Sequence, residues 1–124
     1  MKKLSLLLIA IFLFGTACSP KSSKYPNKID EDKIYFFHIQ SCTHCHDADA
    51  YIQKKHSQLE IIKVDVADKD GFELFIKCAK KFKLNNEIGT PLFCMGKRHL
   101  MGWSPQIAKR FDRYARPFYE NSFD

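Results

Sequence analysis

Cys42-Thr43-His44-Cys45-His46 follows closely on an apolar and aromatic run, Lys33 to Ile39, and this junction restricts the chain to very few folds. The run reads as a short strand buried on both faces of a central sheet. Cysteines three residues apart at the start of a following helix stand one turn apart. That is close enough for a disulfide across the helix N-terminus, and makes a dithiol redox centre. The same five residues also match the attachment pattern of c-type haem, with both thiols on the vinyl groups and His46 on the iron. The two chemistries need different folds, so the other elements decide between them.

The cysteine motif opens a helix to about His56, with Ala48 and Ile52 facing inward. Leu59 to Val66 is β-branched and reads as a second strand. Asp68 is expected to cap a helix through Phe82, whose apolar stripe is Phe72, Phe75, Ile76, Ala79 and Phe82. Asn85 and Asn86 break it, and Ile88-Gly89-Thr90-Pro91 leads into a strand from Leu92 to Met95. Gly96 turns a hairpin whose return strand, Arg98 to Met101, ends at Gly102-Trp103. Ser104 caps a last helix with Pro105 at its first position and Ile107, Phe111, Tyr114 and Phe118 at helical spacing. The order β-α-β-α-β-β-α implies an α/β domain: a parallel pair joined by a crossover helix and extended by an antiparallel hairpin.

Residues 1–17 read as an export signal. Lys2 and Lys3 precede an apolar run, Leu4 to Phe14, that is shorter than the ~20 residues needed to span a bilayer. It ends in Gly15-Thr16-Ala17-Cys18, which resembles a lipobox, so Cys18 is the expected lipidation site. Residues 18–28 are rich in Ser, Pro, Lys and Asn and are expected to form a flexible tether, leaving residues 29–124 as one domain. Setting Cys18 aside, Cys42, Cys45, Cys78 and Cys94 remain, an even number that suits an oxidising compartment outside the cytoplasm. Lys and Arg exceed Asp and Glu by six, but the excess is scattered over helix faces and does not form a nucleic-acid patch.

Motif, proline loop and element order together resemble the thioredoxin superfamily over Lys33 to Pro117. The run Gly89-Thr90-Pro91, Gly96, Gly102-Trp103 and Pro105 is similar to the catalytic domains of periplasmic disulfide isomerases of the DsbC type and their single-domain lipoprotein relatives. The resemblance implies a mixed four-stranded sheet with flanking helices and thiol–disulfide oxidoreductase activity on protein thiols and disulfides. It implies no cofactor and no bound metal. A membrane redox partner would regenerate the enzyme on the periplasmic or outer cell-surface side, the membrane being reached through the lipid. Cys42 would be the exposed nucleophile, with a pKa in the range ~3.5 to 7.5 found at such helix ends, and Cys45 the resolving thiol. Thr43 and His44 would modulate the pair, and Thr90 with a cis Pro91 would present backbone to a substrate strand. For Cys78 and Cys94, a structural disulfide and two buried free thiols both stay open. The chain departs from thioredoxins proper at two positions: Ser41 stands where they carry Trp, and Phe36 where they carry a buried Asp.

Two rival readings use the same cysteines. A c-type cytochrome would take His46, with Met95 or Met101 as a second axial ligand, but small cytochromes of this type are all helical. A copper or other thiophilic-metal carrier would add a distant histidine to the pair, for which His99 is the candidate.

Overall fold

The computed structural model describes residues 23–120; the signal assigned to residues 1–17 and the lipidation site Cys18 lie outside them. Seven elements occur in the expected order: β1 (Ile34–His38), α1 (Thr43–Lys55), β2 (Ile61–Asp65), α2 (Lys69–Lys81), β3 (Leu92–Met95), β4 (Arg98–Met101) and α3 (Pro105–Glu120). They build a four-stranded sheet of order β2-β1-β3-β4. β1 and β2 run parallel across the α1 crossover, and β3 pairs antiparallel with both β1 and β4.

Because side chains alternate along a strand, β1 supplies two cores at once. Ile34 and Phe36 join Ala48, Ile52, Phe93 and Phe111 beneath α1 and α3. Tyr35 and Phe37 join Val64, Leu74, Phe75 and Leu92 beneath α2. Full burial of such side chains contributes roughly 1.5–3 kcal/mol each, which makes β1 the spine of the domain. At the start of α3, Ser104 caps as expected: its Oγ accepts from the Ile107 N–H at 3.2 Å.

Three expectations change. The ordered domain begins upstream of residue 29, because Tyr25 is only 8% exposed and belongs to the α2-side core. Its hydroxyl donates to Asp68 Oδ2 at 3.2 Å and accepts from the Asp65 N–H at 3.1 Å, so at least this part of the 18–28 segment is tied down. Asp68 holds the N-cap position of α2 but makes no capping bond, since its carboxylate is turned to Tyr25 and Lys24. The buried stripe of α2 is Gly71, Leu74, Phe75, Cys78 and Ala79, with Phe72 50% exposed. Gly71 sets this rotation: a Cβ there would stand 2.0 Å from the Asp65 carbonyl oxygen, so only glycine lets α2 lie so close to the end of β2.

The end of α2 also differs in cause. Lys83 adopts φ +56°, its N–H donates to the Lys80 carbonyl, and the Leu84 N–H reaches back to the Ala79 carbonyl at 2.8 Å. That is a Schellman stop at residues 82–84, ahead of the asparagines.

Candidate active site

The first turn of α1 sets the two cysteines in unequal surroundings. Cys42 is the N-cap, in extended conformation, and its Sγ accepts from the Cys45 N–H at 3.1 Å. An N-cap sulfur facing unsatisfied N–H groups and the positive end of the helix is where a thiolate is stabilised. Cys42 is half-buried, Thr43 and His44 are exposed, and Cys45 is only 3% exposed on the inward face. The two sulfurs are bonded.

The proline loop faces this turn across the fold. Thr90–Pro91 is a cis peptide, and Cys42 Sγ lies 3.5 Å from the Thr90 carbonyl oxygen. Pro91 is buried in the core, and its carbonyl accepts from the Gly102 N–H at 2.8 Å, so the loop presents Thr90 while Pro91 holds it. Gly102 takes φ +85°, a conformation glycine adopts without strain. Met101, 36% exposed, accepts from the Gly89 N–H through its sulfur at 3.3 Å, which puts an apolar side chain on the surface of the loop.

No protein-family model matches the sequence, and no curated protein does. Among solved structures the chain is similar to a glutaredoxin from Archaeoglobus fulgidus, at 15% identity and a TM-score of 0.50, over 65% of this chain and 86% of that one. The chain has a thioredoxin-like fold. A buckwheat glutaredoxin crystallised with glutathione is also similar, at 14% identity and a TM-score of 0.49, over 68% of this chain and 74% of that one. Within this thioredoxin fold, Cys42 to Cys45 opens the helix after the first strand and the cis-proline loop precedes the hairpin.

The residues of the rival readings have other engagements. His46 Nε2 contacts the Gln40 carbonyl oxygen at 2.7 Å. Met95 is buried between α3 and the sheet, whereas Met101 is exposed. The four-stranded sheet is itself unlike the all-helical frame that the haem reading requires. His99, the candidate histidine of the metal reading, is half-buried: it pairs with Cys94 across β3 and β4, and its ring lies 4.8 Å from that of Phe82. Burial holds its pKa below the ordinary value.

Cys78 and Cys94 are bonded to each other between α2 and β3, both fully buried. Two features near α1 escaped the sequence reading. One is a cleft on the inner side of Cys45, lined by His38, His46, Asp49, Lys63 and Asp65. The other is a chain of hydrogen bonds that fastens the far end of α1 to α3. In it, His56 contacts Asp112 Oδ1 at 2.6 Å and the Tyr119 hydroxyl at 2.5 Å, while Tyr51 donates to Asp112 Oδ2 at 2.7 Å. Burial alone would raise the Asp112 pKa, but the bonds from His56 and Tyr51 hold it below the ordinary value. The sequence signal for the cleft was spacing: Asp49 lies one turn beyond Cys45 on α1, and His38 falls on the same strand face as Phe36.

Proposed function

We propose that this chain is a lipid-anchored thiol–disulfide oxidoreductase acting on protein disulfides outside the cytoplasm. The observation that carries the reading is the asymmetry of the pair: an accessible N-cap sulfur with the Cys45 N–H 3.1 Å away, and a second sulfur one turn inside that is 3% exposed. A thiolate on Cys42 attacks a client disulfide, one client sulfur leaves, and a mixed disulfide forms. Cys45 then attacks Cys42 Sγ, releasing the second client sulfur as a thiolate and closing the Cys42–Cys45 bond. The client gains two electrons and the pair loses them; the reverse sequence oxidises the client. The backbone of Thr90, beside Cys42 Sγ, is the surface for the client strand. Exposed Thr43 and His44 border the attacking sulfur, and a histidine there adds a donor to a developing thiolate. A membrane redox protein would regenerate the pair, and a lipid on Cys18 would hold the domain at the membrane.

One experiment tests chemistry and anchoring together. Full-length protein is exported, cells are fractionated with a salt wash, and each fraction is assayed for exchange with a fluorogenic disulfide peptide. The wild type is expected to act from the membrane fraction and Cys18→Ala from the soluble fraction, because an acyl chain adds ~0.8 kcal/mol per buried CH₂ to membrane binding. Cys42→Ser should act from neither. Undiminished exchange by Cys42→Ser would overturn the redox reading, and retention of Cys18→Ala on washed membranes would overturn the anchor.

A further inference from the structure

The cleft behind Cys45 has a volume of about 320 Å³ and brings α1, β1 and β2 together beside the buried thiol. Resolution of a mixed disulfide needs Cys45 as a thiolate, yet burial in apolar surroundings disfavours that charge. Its proton must therefore pass to a base on this inner side. At position 36, where thioredoxins proper carry a carboxylate, this chain has Phe36. One pleat repeat nearer the motif, on the same sheet face, stands His38, its ring 5.6 Å from that of Phe36.

The other titratable groups of the cleft are already engaged. Asp49 on α1 is paired with Lys63 on β2 at 3.1 Å. Asp65 on β2 accepts from the Ala67 N–H at 2.9 Å. His46 on α1 is committed to the Gln40 carbonyl, and Lys63 is cationic. The His38 ring makes no hydrogen bond among the described residues and lines the same cleft as Cys45.

We propose that His38 is the proton acceptor for Cys45 during resolution of the mixed disulfide, through solvent in the cleft. The proposal rests on the redox reading above and adds the proton route to it. The Cys45 S–H proton moves to the imidazole, the thiolate attacks Cys42 Sγ, and the Cys42–client bond breaks as the Cys42–Cys45 bond forms. The client thiolate takes its proton from solvent, and the imidazolium returns its own to solvent. In the reverse direction the imidazolium protonates Cys45 as it leaves.

Burial first and Lys63 second lower the His38 pKa below its ordinary value, against the opposing carboxylates Asp65 and Asp49, while His46 adds to the lowering. The ring is thus neutral, and able to accept a proton, at neutral pH. It loses that capacity as the pH falls through the lowered value.

The test is rapid-quench kinetics of the reduced protein with a disulfide peptide, resolving formation and decay of the Cys42 mixed disulfide from pH 5 to 8. In His38→Gln at neutral pH, decay is expected to slow by about 100-fold, the scale of general-base assistance, with formation unchanged. Added imidazole should restore much of the decay rate, which a merely structural role would not allow. His38→Asn serves as a second variant should the first lose its thermal transition. Equal slowing of both phases, unchanged decay, or failure of imidazole to rescue would overturn the proposal. Failure of the wild type to form any mixed disulfide would instead overturn the redox reading.

Discussion

Cys45→Ser is expected to accumulate mixed disulfides with client proteins, and Cys42→Ser to accumulate none. Cys42 offers its sulfur at the helix N-terminus beside Thr90, so removing Cys45 leaves the first attack intact. What is lost is a resolving thiol held one turn away. An intramolecular partner acts at effective molarities that no soluble thiol matches, so the trapped species should persist on the order of 10³-fold longer or more. Non-reducing electrophoresis of exported protein would show Cys45→Ser in high-mass bands that collapse on reduction. Trapping by Cys42→Ser instead would reverse the assignment of attacking and resolving thiols.

The second large effect concerns stability. Cys78 and Cys94 are both fully buried, and their bond closes a loop of sequence separation 16 between α2 and β3. Opening a loop of that size releases unfolded-state entropy equivalent to about 3 kcal/mol. The double variant Cys78→Ala/Cys94→Ala is therefore expected to melt roughly 12–24 °C lower, since about 1 kcal/mol moves the midpoint of a domain this size by 4–8 °C. Changing both residues avoids stranding a lone thiol in the core. Calorimetry showing a shift of only a few degrees would mean that this bond adds little to the fold. Exchange activity, measured below the lowered midpoint, should survive, because this pair lies on the α2 side of the sheet and Cys45 on the other.

All seven elements were legible because each is written locally: apolar runs for the strands, helical periodicity for α1, α2 and α3, and Gly96 at the hairpin turn with φ +67°. The cysteine pair and the proline loop were legible for the same reason. What escaped depends on contacts distant in sequence. A single aromatic in a polar stretch gives no sign that Tyr25 will bond to Asp65 and Asp68. The rotation of α2 follows from the approach of Gly71 to the Asp65 carbonyl, which periodicity does not register. His38 meets the Asp49–Lys63 pair only because β1 and β2 align with Phe36 opposite Lys63 and His38 opposite Asp65. The Cys78–Cys94 bond likewise needed the packing of α2 on the sheet.

The central claim, that Cys42 and Cys45 form a working redox couple, is tested most directly by titrating the folded protein in glutathione and dithiothreitol buffers, with each cysteine followed by alkylation and mass spectrometry. Cys42–Cys45 is expected to open reversibly as a two-electron couple between about −270 and −120 mV, the span of dithiol oxidoreductases, while buried Cys78–Cys94 stays closed. The position within that span would also give the direction of electron flow. A Cys42–Cys45 midpoint below about −300 mV, where structural disulfides lie, would contradict the claim.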